Sequence, residues 1–151
     1  MNNIYKFTGK AETYAKYRPT YPQAYIDYLF KTVKLDRESV IAEIGSGTGI
    51  LLKQLLDRHP CVIGVEPNDD MRGVAERNLA GYTGFISHVG TAENTLLENR
   101  SVDLIVAAQA FHWFDPEQFR TECQRILKPD SPVNLVWNTR DNHSELVIQN
   151  A

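Results

Sequence analysis

Three glycines and two acidic residues form the segment of this sequence that is best suited to bind a small ligand. The segment reads Glu43-Ile44-Gly45-Ser46-Gly47-Thr48-Gly49, and Glu66 ends the apolar stretch that follows. Glycines allow backbone N–H groups to approach a ligand where a Cβ would clash. A carboxylate at the end of a strand, such as Glu66, can accept both hydroxyls of a ribose. The pattern therefore predicts a nucleoside site.

The glycine spacing departs from the fingerprint of dinucleotide-binding proteins. That fingerprint requires a third glycine at position 50, which is Ile50 here, whereas Gly49 comes one residue earlier. Glu43, at the mouth of the turn, would repel a pyrophosphate but could hold an ammonium group. An NAD-dependent oxidoreductase is therefore disfavoured, and a cationic amino-acid ligand suits the turn better. The alternative without a ligand is a tight turn with two solvated acids.

Apolar segments alternate with helical patterns along most of the chain, which indicates an α/β fold. The run at 102–107 is almost continuously apolar, as is typical of a parallel strand buried on both faces. Strands are predicted at 40–44, 61–65, 85–89, 102–107 and 133–137. Helices are predicted from Pro22 to about Lys34, from the glycines to Pro60, from Asn68 to Gly81, and from Asp115 to about Leu127.

Composition narrows the function classes. A chain of 151 residues, 42% of them hydrophobic, can form one domain that buries roughly two-thirds of its unfolded surface. A net charge of −3 without a basic run argues against nucleic acid or a membrane surface as the main partner. No window approaches the ~20 apolar residues of a membrane span, so a cytoplasmic location is expected. Cys61, Cys123 and the scattered histidines lack ligand spacing, and we predict no metal site.

The glycine motif together with Glu66 resembles the binding motif of class I S-adenosylmethionine-dependent methyltransferases. Two more stretches narrow the resemblance: Tyr-Ala-Lys-Tyr-Arg-Pro-Thr-Tyr-Pro at 14–22 and Gln-Ala-Phe-His-Trp-Phe-Asp at 109–115. Both are similar to the type 11 small-molecule methyltransferase family, including its trans-aconitate-like branch. The resemblance covers nearly the whole chain. It implies S-adenosylmethionine as cofactor and a small-molecule acceptor with a carboxylate, hydroxyl or amine group.

By this resemblance, a set of residues is expected to bind the cofactor. Those assigned to its methionine portion are Glu43, Gly45, Ser46, Gly47 and Gly49. Those assigned to its ribose and adenine are Glu66, Pro67, Met71, Thr91, Ala92 and Glu93, with core packing as the alternative for Met71. Gln109 follows the fourth strand, where the reactive methyl group should lie.

The resemblance also implies a segment that covers the cofactor and a residue that acts as general base. An N-terminal arm, 1–22, would fold over the cofactor, with Tyr14 stacking or hydrogen-bonding and Arg18 meeting a carboxylate; a solvated arm is the alternative. His112 would act as general base for a hydroxyl or amine acceptor, since its ordinary pKa lies near neutrality. The alternative for His112 is to cap a loop.

The sequence is too short for the seven-stranded sheet that the family implies. We expect a Rossmann-like, doubly wound sheet of about five parallel strands in the order 3-2-1-4-5, in one domain spanning 1–151, without the final two strands. Residues 142–151 would at most begin a helix, which leaves the fifth strand as an unpaired edge. A homodimer could form through that edge. A non-catalytic cofactor-binding fragment, or half of a split or dimeric protein, is the alternative to an enzyme.

Overall fold

The computed structural model describes residues 20–108, 114–138 and 144–150. Helices follow the first, second and fourth strands, as the alternating sequence pattern predicts. The helices are α1 (Gln23–Thr32), α2 (Ile50–Leu56), α3 (Asp69–Asn78) and α4 (Pro116–Ile126). The strands are β1 (Ile41–Ile44), β2 (Val62–Val65), β3 (Phe85–His88), β4 (Leu104–Ala108), β5 (Pro132–Asn138) and β6 (Ser144–Asn150).

The strands form one sheet in the order β3-β2-β1-β4-β5-β6. The first five strands are parallel to one another, so the predicted order 3-2-1-4-5 is confirmed. The chain runs outward from β1 through β2 to β3 and then returns to β4 on the other side of β1. Ligands in open parallel sheets bind outside the carboxyl ends of the strands at such a switch point.

A sixth strand, β6, borders the sheet on the C-terminal side, contrary to the expectation from the sequence. The prediction that 142–151 only begins a helix is wrong, because β6 runs antiparallel to β5 from Ser144, opposite Asn138, to Asn150, opposite Pro132. β5 is therefore not an unpaired edge, and a strand does follow the fifth. The backbone N–H and C=O groups that β5 would expose are satisfied when the chain folds back along it.

The core lies on both faces of the sheet. Every residue of β1, β2 and β4 is buried, as parallel strands covered on two sides require. One face packs against α1 and α2 through Ile26, Leu29 and Leu52, among others. The other face packs against α4, where Phe119 and Ile126 belong to the buried cluster.

Local signals set the helix boundaries closely. The Asn68 side chain accepts a hydrogen bond from the Met71 N–H at the start of α3. Asp115 does the same for Gln118 at the start of α4, so both predicted N-caps are confirmed. β4 begins at Leu104, two residues later than predicted, because Val102 instead forms an isolated bridge with Leu127.

Candidate functional site

The glycine turn joins β1 to α2 through a backbone that favours glycine. Gly45, Gly47 and Gly49 all have positive φ, at 72°, 59° and 92°, a region that L side chains rarely adopt. The Gly45 N–H donates to the Val65 carbonyl at 2.8 Å. The turn is thereby tied to the end of β2, and it lies at the carboxyl ends of the two central strands.

Glu66 connects the glycine turn to the start of α3. Its Oε1 accepts the Gly47 N–H at 2.7 Å, and its Oε2 accepts the Asn68 N–H at 2.9 Å. Burial raises the pKa of Glu66, although these two backbone hydrogen bonds act in the opposite direction. A carboxylate oxygen has two acceptor positions, so each oxygen of Glu66 retains capacity for a ligand hydroxyl.

Met71 and Pro67 lie beside this carboxylate. Met71 is buried, and its Cε lies 3.8 Å from the position that a Cβ on Gly47 would occupy. Pro67 is half-buried between Glu66 and the cap residue Asn68. Met71 therefore reaches the glycine turn from α3, a position compatible with ligand contact and with core packing. Its role stays a prediction.

Glu43 occupies the centre of the sheet. It pairs in register with Gly64 of β2 and with Val106 of β4, and only 3% of its surface is exposed. A buried carboxylate is costly unless cations or hydrogen-bond donors compensate it. Glu43 thus places a buried acidic side chain at the switch point of the sheet.

The loop after β3 carries the three residues assigned to adenine. Thr91 and Asn94 close a turn through reciprocal backbone hydrogen bonds of 3.0 and 3.2 Å, and Ala92 is buried. Desolvation and the charge of Asp115 raise the pKa of Glu93, while the backbone N–H groups of Glu93 and Asp115 lower it. Glu93 thus faces the start of α4 as well as its own loop.

A buried polar contact fixes that loop to α4. The Thr95 N–H and hydroxyl both donate to Oε2 of Glu122, at 2.7 and 2.6 Å. Arg125 donates to both carboxylate oxygens of Glu122. The hydrogen bonds from Arg125, together with those from Thr95, lower the pKa of Glu122 to about 2. The loop that carries Thr91, Ala92 and Glu93 is therefore anchored by an ionised side chain.

Several predicted site residues lie outside the described residues. Tyr14 and Arg18 fall in 1–19, and Gln109 and His112 fall in 109–113, so their assignments stay predictions. The predicted arm is described from Thr20 onward. There, the backbone N–H of Tyr21 donates to the Gln54 side chain at 3.0 Å, and the Gln54 amide donates back to the Tyr21 carbonyl at 2.8 Å.

The sequence reasoning missed three polar groups near the site. The Tyr25 hydroxyl donates to Asn134 Oδ1 at 2.7 Å, and both side chains are buried. Asn134 interrupts an apolar strand, and that signal could have identified it; Tyr25 was hidden in the apolar face of a helix. The buried Thr48 Oγ1 in the glycine turn has no hydrogen-bond partner among the residues that the structure describes.

The described ranges contain no group of three or more His, Cys, Asp or Glu side chains that could hold a metal ion. None of their helices is long and apolar enough to cross a membrane.

Comparison with known proteins agrees with this geometry. The model of the Methyltransf_11 family, a methyltransferase domain, matches residues 42–133. The methyltransferase-like protein C25B8.10 of Schizosaccharomyces pombe, itself uncharacterized, is 36% identical over 137 residues, which cover 90% of this chain and 52% of that protein. The uncharacterized methyltransferase Rv3342 of Mycobacterium tuberculosis is 36% identical over 89% of this chain and 53% of its own length. The chain spans about half the length of these relatives.

Solved structures show the same fold. A protein of Anaeromyxobacter dehalogenans assigned to the type II methyltransferases aligns with a TM-score of 0.71 and 29% identity, over 82% of this chain and 50% of that one. Geranyl diphosphate C-methyltransferase of Streptomyces coelicolor, solved with S-adenosyl-L-homocysteine, aligns with a TM-score of 0.68 over 76% of this chain and 44% of its own, at 16% identity. The family model covers more than half of the sequence, and the chain belongs to the Methyltransf_11 family of methyltransferase domains.

Proposed function

We propose that this domain binds S-adenosylmethionine and transfers its methyl group to a small-molecule acceptor. The observation that carries the proposal is the buried Glu66 carboxylate, which bridges Gly47 and Asn68 at the carboxyl ends of β1 and β2. Family membership supports a methyltransferase and does not favour the alternative of a non-catalytic fragment. The site also suits this cofactor chemically, because the site combines two acidic side chains, Glu43 and Glu66, with a glycine turn.

The methionine portion would lie on the glycine turn and Glu43. Its ammonium group complements the buried Glu43 carboxylate, whereas a phosphate there would be repelled. Its carboxylate would meet the backbone of the turn and the Thr48 hydroxyl, whose oxygen is buried and has no partner among the described residues. The site thus offers a carboxylate for an ammonium group and N–H and hydroxyl donors for a carboxylate. This combination suits an amino-acid tail better than a pyrophosphate.

The nucleoside portion would lie across the ends of β2 and β3. Glu66 would accept the ribose hydroxyls through the remaining lone pairs of its two oxygens. Thr91, Ala92 and Glu93 would line the adenine side, in the loop that Glu122 anchors to α4. Met71 would close the site from α3, since it already lies beside Gly47.

The protein's contribution to the reaction would be alignment and exclusion of water. When bound, the sulfonium supplies a methyl group that is already activated for transfer. The surrounding residues need only hold an acceptor atom in line with that methyl group, and orientation of this kind supplies much of the rate enhancement in two-reactant steps. A carboxylate acceptor needs no base. For a hydroxyl or amine acceptor, His112 would take the proton.

The remaining proposals concern the N-terminal arm, the surroundings of the methyl group, the acceptor and the oligomeric state. The N-terminal arm, with Tyr14 and Arg18, would cover the cofactor, and Gln109 would lie near the methyl group. The acceptor would be a small molecule with a carboxylate, hydroxyl or amine group, and membership of the trans-aconitate-like branch of the family stays a prediction. A homodimer that pairs sheet edges would use β3 or β6, the outer strands of the described sheet, because β5 is paired on both sides.

Calorimetric titration tests the proposal directly. The purified chain would be titrated with S-adenosylmethionine, S-adenosylhomocysteine and NAD, beside the variants Glu66→Gln and Glu117→Gln. Glu117 is an exposed carboxylate on α4 and serves as the matched control. We expect both S-adenosyl ligands to bind, NAD not to bind, and only Glu66→Gln to lose affinity. Binding of NAD alone by a folded chain would overturn the proposal.

A further inference from the structure

The connection between β3 and β4 carries the residues assigned to adenine and has no helix to hold its shape. Residues 89–103, all of which the structure describes, contain no helix, and Val102 forms only an isolated bridge. Long connections of this kind are generally the more mobile parts of a fold, because few internal hydrogen bonds fix their backbone. A loop that recognises a base through backbone groups must hold those groups in place. The contacts that fix this connection therefore bear on binding.

Thr95 closes the first part of this connection, the turn formed by residues 90–95. Thr91 and Asn94 exchange backbone hydrogen bonds of 3.0 and 3.2 Å within the turn. A Cβ on Gly90 would lie 2.5 Å from the Thr95 carbonyl oxygen, so the two ends of the turn touch where Gly90 has no side chain. Thr95 itself is fully buried. The position of Thr95 therefore sets the position of the whole turn.

Glu122 of α4 holds Thr95 through two donors. The Thr95 N–H and hydroxyl converge on Oε2 of Glu122 at 2.7 and 2.6 Å, and the same hydroxyl accepts the Leu97 N–H at 3.2 Å. Arg125 donates to Oε1 of Glu122 at 2.8 Å and to Oε2 at 2.7 Å, a fork that fixes the orientation of a carboxylate as well as its charge. A third Arg125 nitrogen donates to Asn99 Oδ1 at 2.7 Å. Glu122 and Arg125 thus bind two separate parts of the connection.

The helix α4 also contacts the turn near its own start. The Asp115 N–H donates to the Glu93 side chain, and Ala92 belongs to the same buried cluster as Phe119 of α4. The turn is therefore attached to α4 at two places, near the first residue of the helix and at Glu122. A helix is stiffer than an irregular connection, so α4 provides the fixed support that the connection lacks.

We propose that Thr95 and Glu122 are positioning residues for recognition of the base: their contact holds the backbone of residues 91–93 where it accepts adenine and rejects hypoxanthine. This inference rests on the proposed function, since it places adenine against residues 91–93. Adenine presents an N1 acceptor and an N6 amino donor, whereas hypoxanthine presents an N1–H donor and an O6 acceptor. A fixed backbone N–H that binds N1 of adenine would be left without a partner by hypoxanthine, and a turn that can shift would lose this discrimination.

The test measures selectivity between two ligands that differ only in the base. S-adenosylhomocysteine and S-inosylhomocysteine share the ribose and the amino-acid tail, so the contributions of Glu66 and the glycine turn cancel in the ratio of their dissociation constants. We expect the wild type to prefer the adenosyl ligand by at least about tenfold, equivalent to about 1.4 kcal/mol. Thr95→Val removes the hydroxyl at nearly constant volume, and Glu122→Gln removes the charge that binds both donors. Each variant should lower the ratio to about threefold or less, as expected when a hydrogen bond to the base is lost.

A serine at position 95 separates positioning from stability. Thr95→Ser keeps the hydroxyl and both hydrogen bonds to Glu122 but loses a buried methyl group. Its thermal unfolding should therefore shift to lower temperature while its selectivity ratio stays within about twofold of the wild type. Glu117→Gln, on the exposed side of the same helix, should change neither quantity. The double variant Thr95→Val with Glu122→Gln should be about as selective as either single variant, because both substitutions act through one contact.

Three results would overturn the inference while leaving the cofactor assignment intact. They are equal binding of the two ligands by the wild type, an unchanged ratio in Thr95→Val or Glu122→Gln, and a Thr95→Ser protein whose selectivity falls with its stability. If Glu122→Gln does not fold, the two Thr95 variants decide the question, and if Thr95→Val does not fold, Glu122→Gln and Thr95→Ser decide it. A folded wild-type chain that binds neither ligand would overturn both this inference and the proposed function.

Discussion

The Gly47 N–H donates to Oε1 of Glu66 at 2.7 Å, and this contact joins the middle of the glycine turn after β1 to the residue that follows β2. Because Glu66 also accepts the Asn68 N–H at 2.9 Å, the same carboxylate fixes the start of α3. Three segments of the chain therefore meet at one ionisable group. Changes to that group should alter ligand binding and the local backbone together.

Cofactor affinity should depend on pH through Glu66. Burial places its folded-state pKa above the ordinary value of 4.5, so the protonated form is favoured on folding and its contribution to stability is lost as the pH rises through the folded pKa. Ribose hydroxyls need the ionised form as acceptor. S-adenosylhomocysteine affinity should therefore fall as the pH is lowered through the raised pKa, as calorimetry at several pH values would measure. Glu66→Gln should lack this component; parallel profiles for the two proteins would contradict the prediction.

Acid should destabilise the protein through Glu122. Its pKa is lowered to about 2, so its contribution to stability is present above the ordinary value of 4.5 and is lost as the pH falls toward 2. Glu122→Gln should flatten the dependence of unfolding free energy on pH in that window. Urea unfolding at pH 6, 4 and 3 would measure it. Glu117→Gln, on the same helix but exposed, should keep the wild-type slope.

Substitution of two glycines by alanine should have opposite effects. A Cβ on Gly64 in β2 would lie 2.6 Å from Leu52 Cδ1 and 2.9 Å from Ser46 Oγ, so Gly64→Ala should destabilise by about 1–3 kcal/mol through overpacking. Gly73 lies inside α3, where a Cβ would meet only the flexible end of Arg77 at 3.3 Å. Gly73→Ala should stabilise by about 0.5–1 kcal/mol. Thermal unfolding of both variants checks the signs, and a stabilising Gly64→Ala would contradict the packing of β2.

The two cysteines should differ in reactivity. Cys123 is buried, and burial raises the pKa of its thiol to about 12, whereas Cys61 is only half-buried. Because the thiolate is the reactive form, iodoacetamide should label Cys61 first in the native protein and Cys123 only after unfolding. Mass spectrometry of a labelling time course would show the order. Equal rates in the native state would contradict the described packing of α4 against the sheet.

The features that sequence reasoning predicted correctly are those with local signals. The glycine motif, the apolar strands and the Asn68 and Asp115 caps each depend on residues a few positions apart, and their physical causes act over that range. The order of the five parallel strands followed from the resemblance to a known family. The position of Glu66 at a strand end could likewise be predicted, because a glycine turn and a terminal acid recur together in nucleoside-binding βαβ units.

Contacts between distant segments were decided by the tertiary structure alone. The segment Ser144–Asn150 becomes a strand because β5 offers it a row of unpaired backbone groups, and no local pattern specifies that partner. Tyr25 and Asn134, 109 residues apart, meet only because α1 packs on the face that β5 completes. Residue types and spacing determined which ligand chemistry the chain can offer, whereas the register of the sheet decided which buried groups stand beside Glu43.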